Sequence, residues 1–155
     1  MGEPPTFVAD VMLGKLAKWL RLLGYDTLYF RESNDGDLAR LARAEGRVLL
    51  TRDRELAKRR ALRALWIENE RLEWQLREVF DRLGLTTNGA FSRCPECNEL
   101  LTPREPGQVQ SKVPPYVFKT QTRFAECPRC GRVFWRGTHW AHMVATLRTA
   151  RGGSA

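Results

Sequence analysis

Several absences narrow this 155-residue sequence before any motif is read. No run approaches the roughly 18 consecutive apolar residues of a membrane span. The opening Met1-Gly-Glu-Pro-Pro5 has neither the basic nor the apolar region of a secretory signal. No membrane association is expected, and a cytoplasmic location follows by default. There is no internal repeat, which excludes solenoids and propellers. Cysteine is confined to four residues in two close pairs, too few for a disulfide scaffold. Lysine is scarce as well, five against 21 arginines, a bias toward the side chain that binds phosphate bidentately.

What is present is an ordinary globular composition, 43% hydrophobic, with a formal charge of +8. The charge is uneven, +2 over residues 1–90 and +6 over 91–155. Four thiolates around one divalent ion would still leave about +4 in the second part. Such an excess suits a polyanion, RNA or DNA.

Residues 6–84 alternate short apolar runs with helical periodicity. Strands are expected at 6–10, 25–30, 47–51 and 64–67. The leucines at 13, 16, 20 and 23 repeat at helical spacing up to Gly24. Further helices are expected from the Asn34-Asp35-Gly36-Asp37 region to Gly46, over 52–61, and through Leu72, Leu76, Val79, Phe80 and Leu83. Trp19 and Trp74 fall on these helices as packing residues. This order, β-α-β-α-β-α-β-α, predicts an α/β domain with a small parallel sheet, because parallel neighbours need crossover segments. The polar Thr86-Thr-Asn-Gly89 marks a boundary, giving units 1–88 and 89–155 with separate cores and a frayed tail at 151–155.

Cys94-Pro-Glu-Cys97 and Cys127-Pro-Arg-Cys130 are two C-x-x-C knuckles 29 residues apart. Two thiolates at this spacing face one tetrahedral ion, and a second knuckle closes a four-sulfur shell, so a structural Zn²⁺ is expected. Asn98 and Gly131 follow the knuckles and tolerate the left-handed backbone that turns amides toward sulfur. A single iron or a pair of disulfides is less favoured, since nothing else suggests a redox partner or an oxidising compartment. His139 and His142 lie close behind as surplus rather than ligands. A closed shell has no open position, so it folds its segment and leaves chemistry to the rest of the chain. The same segment interleaves aromatic and basic groups, among them Tyr116, Phe124, Trp135, Arg136, His139 and Trp140, which suits stacking on bases and pairing with phosphates, although about half the rings should be core.

In an open parallel sheet, ligands bind outside the carboxyl ends of the strands. Asp10 ends the first strand, Asp53 follows the third, and Asp35 and Asp37 open the second helix on the same rim. Hard oxygens gathered there would hold Mg²⁺ or Mn²⁺. Each acid also has a structural alternative, as a helix cap or strand end. Thr51 could orient water or phosphate. Lys15, Lys18 and Arg21 on the first helix, and Arg52 and Arg54 beside Asp53, are candidates for the substrate backbone. A phosphorelay receiver is disfavoured by Val11 where a second acid would stand and by the lack of a fifth strand. A haloacid-dehalogenase-type phosphatase is disfavoured by Met12.

The segments from Phe7-Val-Ala-Asp10 through Tyr25-Asp26 and Val48-Leu-Leu-Thr51-Arg-Asp53-Arg-Glu-Leu56 closely resemble the Mut-seven C-terminal domain family. The resemblance continues through both knuckles, Val113-Pro-Pro-Tyr116 and Trp135-Arg-Gly-Thr-His-Trp140. It implies a PIN-like three-layer RNase domain followed by a β-rich zinc ribbon. It carries metal-binding roles onto Asp10, onto Asp37 or Asp35, and onto Asp53 in a Thr-x-Asp element, with Glu55 the nearest candidate for a fourth acid. The expected activity is metal-dependent, endonucleolytic hydrolysis of single-stranded or structured RNA, with tRNA or the ribosome as conceivable partners. The alternative is a non-catalytic RNA- or ribosome-binding protein whose nuclease site has degenerated.

Overall fold

The computed structural model describes residues 3–153. Strands β1 (Phe7–Ala9), β2 (Thr27–Tyr29), β3 (Val48–Thr51) and β4 (Ala64–Trp66) form a fully parallel sheet in the order β2-β1-β3-β4. Between them lie α1 (Gly14–Leu22), α2 (Asp35–Glu45) and α3 (Arg54–Ala57), with α4 (Leu72–Leu83) after β4. The expected alternation is present, with strands a residue or two shorter at their ends. The third helix is a single turn, capped at its start by Asp53 and followed by Ala61 at φ 56°, a backbone value no helix continues through.

Side-chain alternation along the strands sorts the core into two faces. Phe7, Ala9, Val48 and Leu50 point to the side covered by α1 and α4, whereas Val8 and Leu49 meet Leu38, Ala39 and Ala42 of α2 and Leu56 of α3. Helix, sheet and helix therefore make three layers. The chain steps from β1 to β2 in one direction, then crosses back past β1 to β3. The switch point of the sheet consequently lies between the carboxyl ends of β1 and β3.

After residue 89 the chain builds a second, antiparallel sheet, β5 (Thr102–Arg104), β6 (Phe124–Glu126) and β7 (Val133–Trp135), in the order β5-β6-β7. It has a cluster of its own from Val109, Val113, Val117 and Phe124. This segment is less β-rich than expected. Helices α5 (Pro106–Val109) and α6 (Pro115–Thr120) fill its long connection, each with proline at a first-turn position where a missing N–H costs nothing. Helix α7 (Thr138–Gly153) closes the chain. The tail expected to fray overlaps its end at 151–153, and residues 154–155 lie outside the described residues.

The expectation of separate cores is corrected by α7. The chain crosses the expected 88/89 boundary, builds its sheet, and returns. Trp140, Met143 and Leu147 are buried in the same cluster as Leu16, Leu20, Leu76, Val79 and Phe80. The Trp140 ring stacks on Trp19 at 5.8 Å and 14°, with Phe91 edge-on at 5.4 Å. Trp74, expected in the packing, is instead 40% exposed beneath the Arg77 guanidinium.

The junction is polar as well as apolar. Gly24, at φ 101°, lies so close to the Gly89 carbonyl that any Cβ would collide with it. Asp26 accepts from Arg47 at 2.9 Å and from the Asn98 side chain at 2.7 Å. Burial alone would raise the Asp26 carboxyl, but those two hydrogen bonds and the Arg47 charge hold it below the usual range.

Two stability measurements follow from this packing. Trp140→Ala should cost about 3–5 kcal/mol, the range for deleting a buried aromatic ring. It should lower the melting temperature of the α/β layers themselves, and an unchanged melt of their helical signal would show that α7 is dispensable to that core. Because the folded Asp26 pKa is depressed, its contribution is complete above the unfolded value of about 3.9 and is lost as pH falls through the lower folded value. Acid titration of stability should therefore flatten in Asp26→Asn relative to the native chain.

Candidate metal centre and carboxylate rim

The two knuckles fold as near copies. Asn98 and Gly131 are both left-handed, at φ 66° and 78°, and return their N–H groups to the carbonyls of Cys94 and Cys127 at 2.8 and 2.9 Å. The Cys94 and Cys127 N–H groups are likewise paired, with the Glu99 and Arg132 carbonyls. These turns bring all four Sγ atoms within 4.8 Å of one another. Tetrahedral Zn–S bonds of about 2.3 Å imply S···S edges of about 3.8 Å, the separation of Cys94 and Cys130. Backbone N–H groups of Arg129 and Cys130 point at the Cys127 sulfur, both at 3.4 Å, a stabilisation suited to thiolate. Burial pushes the Cys94 thiol up to about 12. At Cys130 burial is outweighed by the Arg132 backbone and the neighbouring thiols, which bring it down to about 7. The donor set fits structural zinc and leaves no ligand position open.

The first knuckle is fastened to the parallel sheet. Arg21, only 8% exposed, donates from Nε to Thr27 O at 2.8 Å and from Nη1 to Pro95 O at 2.7 Å. Burial lowers its pKa, and the Cys94 and Glu96 side chains act in the opposite direction. Asn98 Oδ1 accepts the N–H of Thr27 on the sheet-edge strand β2 at 3.1 Å. Lys18 pairs with Glu96 at 3.0 Å. Of the three α1 basic residues read as phosphate contacts, Arg21 is therefore a buried structural clamp, Lys18 is paired, and Lys15 is exposed without an ion pair among the described residues.

At the switch point, Asp10 and Asp53 are joined through Thr51. Asp10 is 7% exposed and accepts from Val11 N–H at 2.7 Å and from the Thr51 hydroxyl at 2.8 Å. The same hydroxyl accepts the Asp53 N–H at 2.9 Å. Asp53 caps α3, its Oδ1 taking the N–H groups of Glu55 and Leu56. Asp35 and Asp37 open α2, but its cap is Asn34, which accepts the Asp37 N–H at 2.8 Å. The Asp37 carboxylate is held locally by Asn34 and Arg40. No hydrogen bond carries it to Asp10 or Asp53. Among the described residues, the cysteines are the only group of three or more possible ligands placed around one ion. The acids share a rim without forming a closed cage.

The remaining expected contacts divide by burial. Arg52, half-buried, donates from Nη1 to the Glu68 and Asn69 carbonyls beyond β4. Arg54 is exposed over the Trp66 ring at 4.3 Å. His139 is exposed, edge-on to Trp19 at 5.3 Å. Trp140 is only 9% exposed, stacked on Trp19 and packed against Phe91, so its ring is mostly taken up by the core rather than by solvent. A groove of about 360 Å³ runs along the rim between Met12, Gly14, Lys15 and Glu70. Glu70 lines that groove, and Glu68 and Glu70 lie just beyond the carboxyl end of β4, the kind of position that Asp10 and Asp53 hold after β1 and β3.

A three-layer α/β domain carrying acids at its switch point, joined to a four-cysteine unit, defines a class of metal-binding two-part proteins. Residues 5–147 match the family model described as the Mut7-C RNAse domain, and the chain belongs to that family. Comparison with curated proteins and with solved structures gave no match. No helix among the described residues is long and apolar enough to cross a membrane.

Elemental analysis should find about one zinc per chain, since four thiolates saturate one tetrahedral ion. Cys127→Ser should lower that content and loosen the second sheet. Iron in place of zinc, or a metal-free folded protein, would contradict the assignment.

Proposed function

We propose that the chain is a metal-dependent endoribonuclease, a PIN-like domain hydrolysing RNA phosphodiesters with the zinc ribbon assisting RNA binding. The observation that carries this reading is the hydrogen-bonded run from Asp10 through Thr51 to Asp53 across the sheet's switch point, in a member of an RNAse domain family. Asp10, Asp53 and either Asp37 or Asp35 would hold Mg²⁺ or Mn²⁺, which favour carboxylate oxygens and retain waters. Bound there, such an ion would supply Lewis-acid polarisation of a phosphodiester and would orient and acidify an attacking water. Thr51 fixes the placement of the two acids, and Lys15 and Arg54, both exposed beside the rim, are suited to hold substrate phosphates. The substrate class is RNA, with tRNA or the ribosome as partners to test, acting in the cytoplasm.

One observation favours a second reading, an RNA- or ribosome-binding protein without catalysis. Asp37 is bound up with Asn34 and Arg40, and the carboxylates do not converge as a group.

A panel of structured and unstructured RNAs, incubated with Mg²⁺ or Mn²⁺, separates the two. Asp10→Asn, Asp37→Asn and Asp53→Asn should each reduce cleavage by roughly 10³, since losing a metal ligand costs several kcal/mol of transition-state stabilisation. RNA binding should persist or tighten, because each change removes a negative charge facing a polyanion. Asn caps helices as well as Asp, so Asp53→Asn should remain folded. Wild-type rates in all three variants would remove the nuclease assignment. Tight RNA binding with no cleavage by the native chain would establish the second reading.

A further inference from the structure

The basic excess after residue 90 is not spread evenly over that surface. Arg136 follows β7, Arg148 lies on α7, and Arg123 immediately precedes β6. None of the three enters an ion pair among the described residues, although eight such pairs occupy other arginines and lysines. The Arg136 guanidinium lies over the rings of Phe91 at 5.2 Å and Trp140 at 5.9 Å. Ring contacts of this kind hold the planar group while leaving its N–H edge to other partners. Its Nε is buried and has no hydrogen-bond acceptor. Beside it a groove of about 520 Å³ is lined by Arg136, Trp140, Ala141, Val144, Ala145 and Arg148.

The lining explains what the groove admits. Ala141 and Ala145 are one helical turn apart, so their methyl groups leave space along α7 that longer side chains would fill. Arg136 stands at its start and Arg148 beyond Ala145 at the other end, while Trp140 and Val144 supply apolar walls. The charges acting on Arg136 come from Arg123 and Arg148, and together with burial, the larger cause, they lower its pKa. Among the described residues no carboxylate is paired with any of the three. Arg136 and Arg148 line the groove, and Arg123 lies near enough for its charge to act on Arg136, an arrangement of like charges that a bound anion relieves.

We propose that Arg123, Arg136 and Arg148 form a phosphate-binding site for the backbone of single-stranded RNA, separate from the carboxylate rim. The chemistry that selects this ligand is the pairing of planar guanidinium groups with phosphate oxygens, beside apolar surface that accommodates sugar or base. The site rests on the RNA-binding part of the proposed function, and not on catalysis. It gives a strand a second anchor on the α7 face, which explains why Trp140 serves RNA indirectly: its ring supports Arg136 instead of stacking on a base.

The test is binding of a labelled oligouridylate, about 20 nucleotides long so that it spans more than one single-strand site, to the full chain over a series of KCl concentrations, without added Mg²⁺ or Mn²⁺. Arg123→Gln and Arg148→Gln change exposed side chains, and thermal melts confirm that they fold. Each should weaken binding about tenfold and lower the slope of log K against log salt by roughly 0.7 for each phosphate left without its arginine. Arg148→Lys should recover only part of the affinity while restoring the salt slope, because it returns the charge without the planar fork. Affinities within about twofold of the native chain, with an unchanged salt slope, would overturn the site. Cleavage assays keep the two readings apart. Triad-dependent binding by a chain that cuts no RNA leaves the site standing and removes the nuclease. Cleavage with triad-independent binding removes the site alone.

Discussion

Everything after the α/β layers is placed by the way the first cysteine knuckle is fixed to the edge of the parallel sheet. Arg21 brings a charged group into an almost fully buried position, where it is tolerated only because backbone carbonyls of β2 and of the knuckle take its donors. Asn98 completes the join by accepting a β2 N–H and donating to Asp26, which Arg47 also grips. Removing one partner from such a network leaves buried groups unpaired, so its members succeed or fail together. The join also covers part of an edge strand that would otherwise offer unpaired amides to another chain.

Once the knuckle is fixed, the metal centre transmits that position to the rest of the ribbon. The first two sulfurs belong to the docked turn, and the second two come from the β6-β7 turn, so a single ion would tie the antiparallel sheet to the parallel one. Helix α7 then falls back across α1 and α4 and supplies Trp140, Met143 and Leu147 to their core. A closed four-sulfur shell thus orients surfaces and offers no open ligand position. The acids lie at the rim of the sheet, and the unpaired arginines lie on the face that α7 completes. The two charged regions therefore lie on different parts of the surface.

The local parts of this structure were legible in the sequence. Strand and helix periods are short-range patterns, and the order of β1 to α4 follows from them with only the ends displaced. The ligand set is fixed by two three-residue spacings, and the left-handed residues after them, Asn98 and Gly131, are required by the turn itself. Asp10, Thr51 and Asp53 were also within reach, since a parallel sheet places every strand's carboxyl end on one rim. The same rule covers Glu68 and Glu70, just beyond β4.

Only the tertiary structure decided which partner each side chain would take. Arg21 and Lys18 sit on one helix with Lys15 and read alike, yet the knuckle engages the first two and leaves the third exposed. Trp140 lies in an aromatic and basic stretch suited to nucleic acid, but Trp19, far earlier in the chain, stacks against it. Asp37 shares a rim with Asp10 and Asp53 but is held by its own helix start. Sequence fixes the character of a side chain and its local conformation through nearest-neighbour sterics and periodicity. Whether its charge or ring meets solvent or another part of the chain depends on contacts between distant segments, which exist only after the layers have packed.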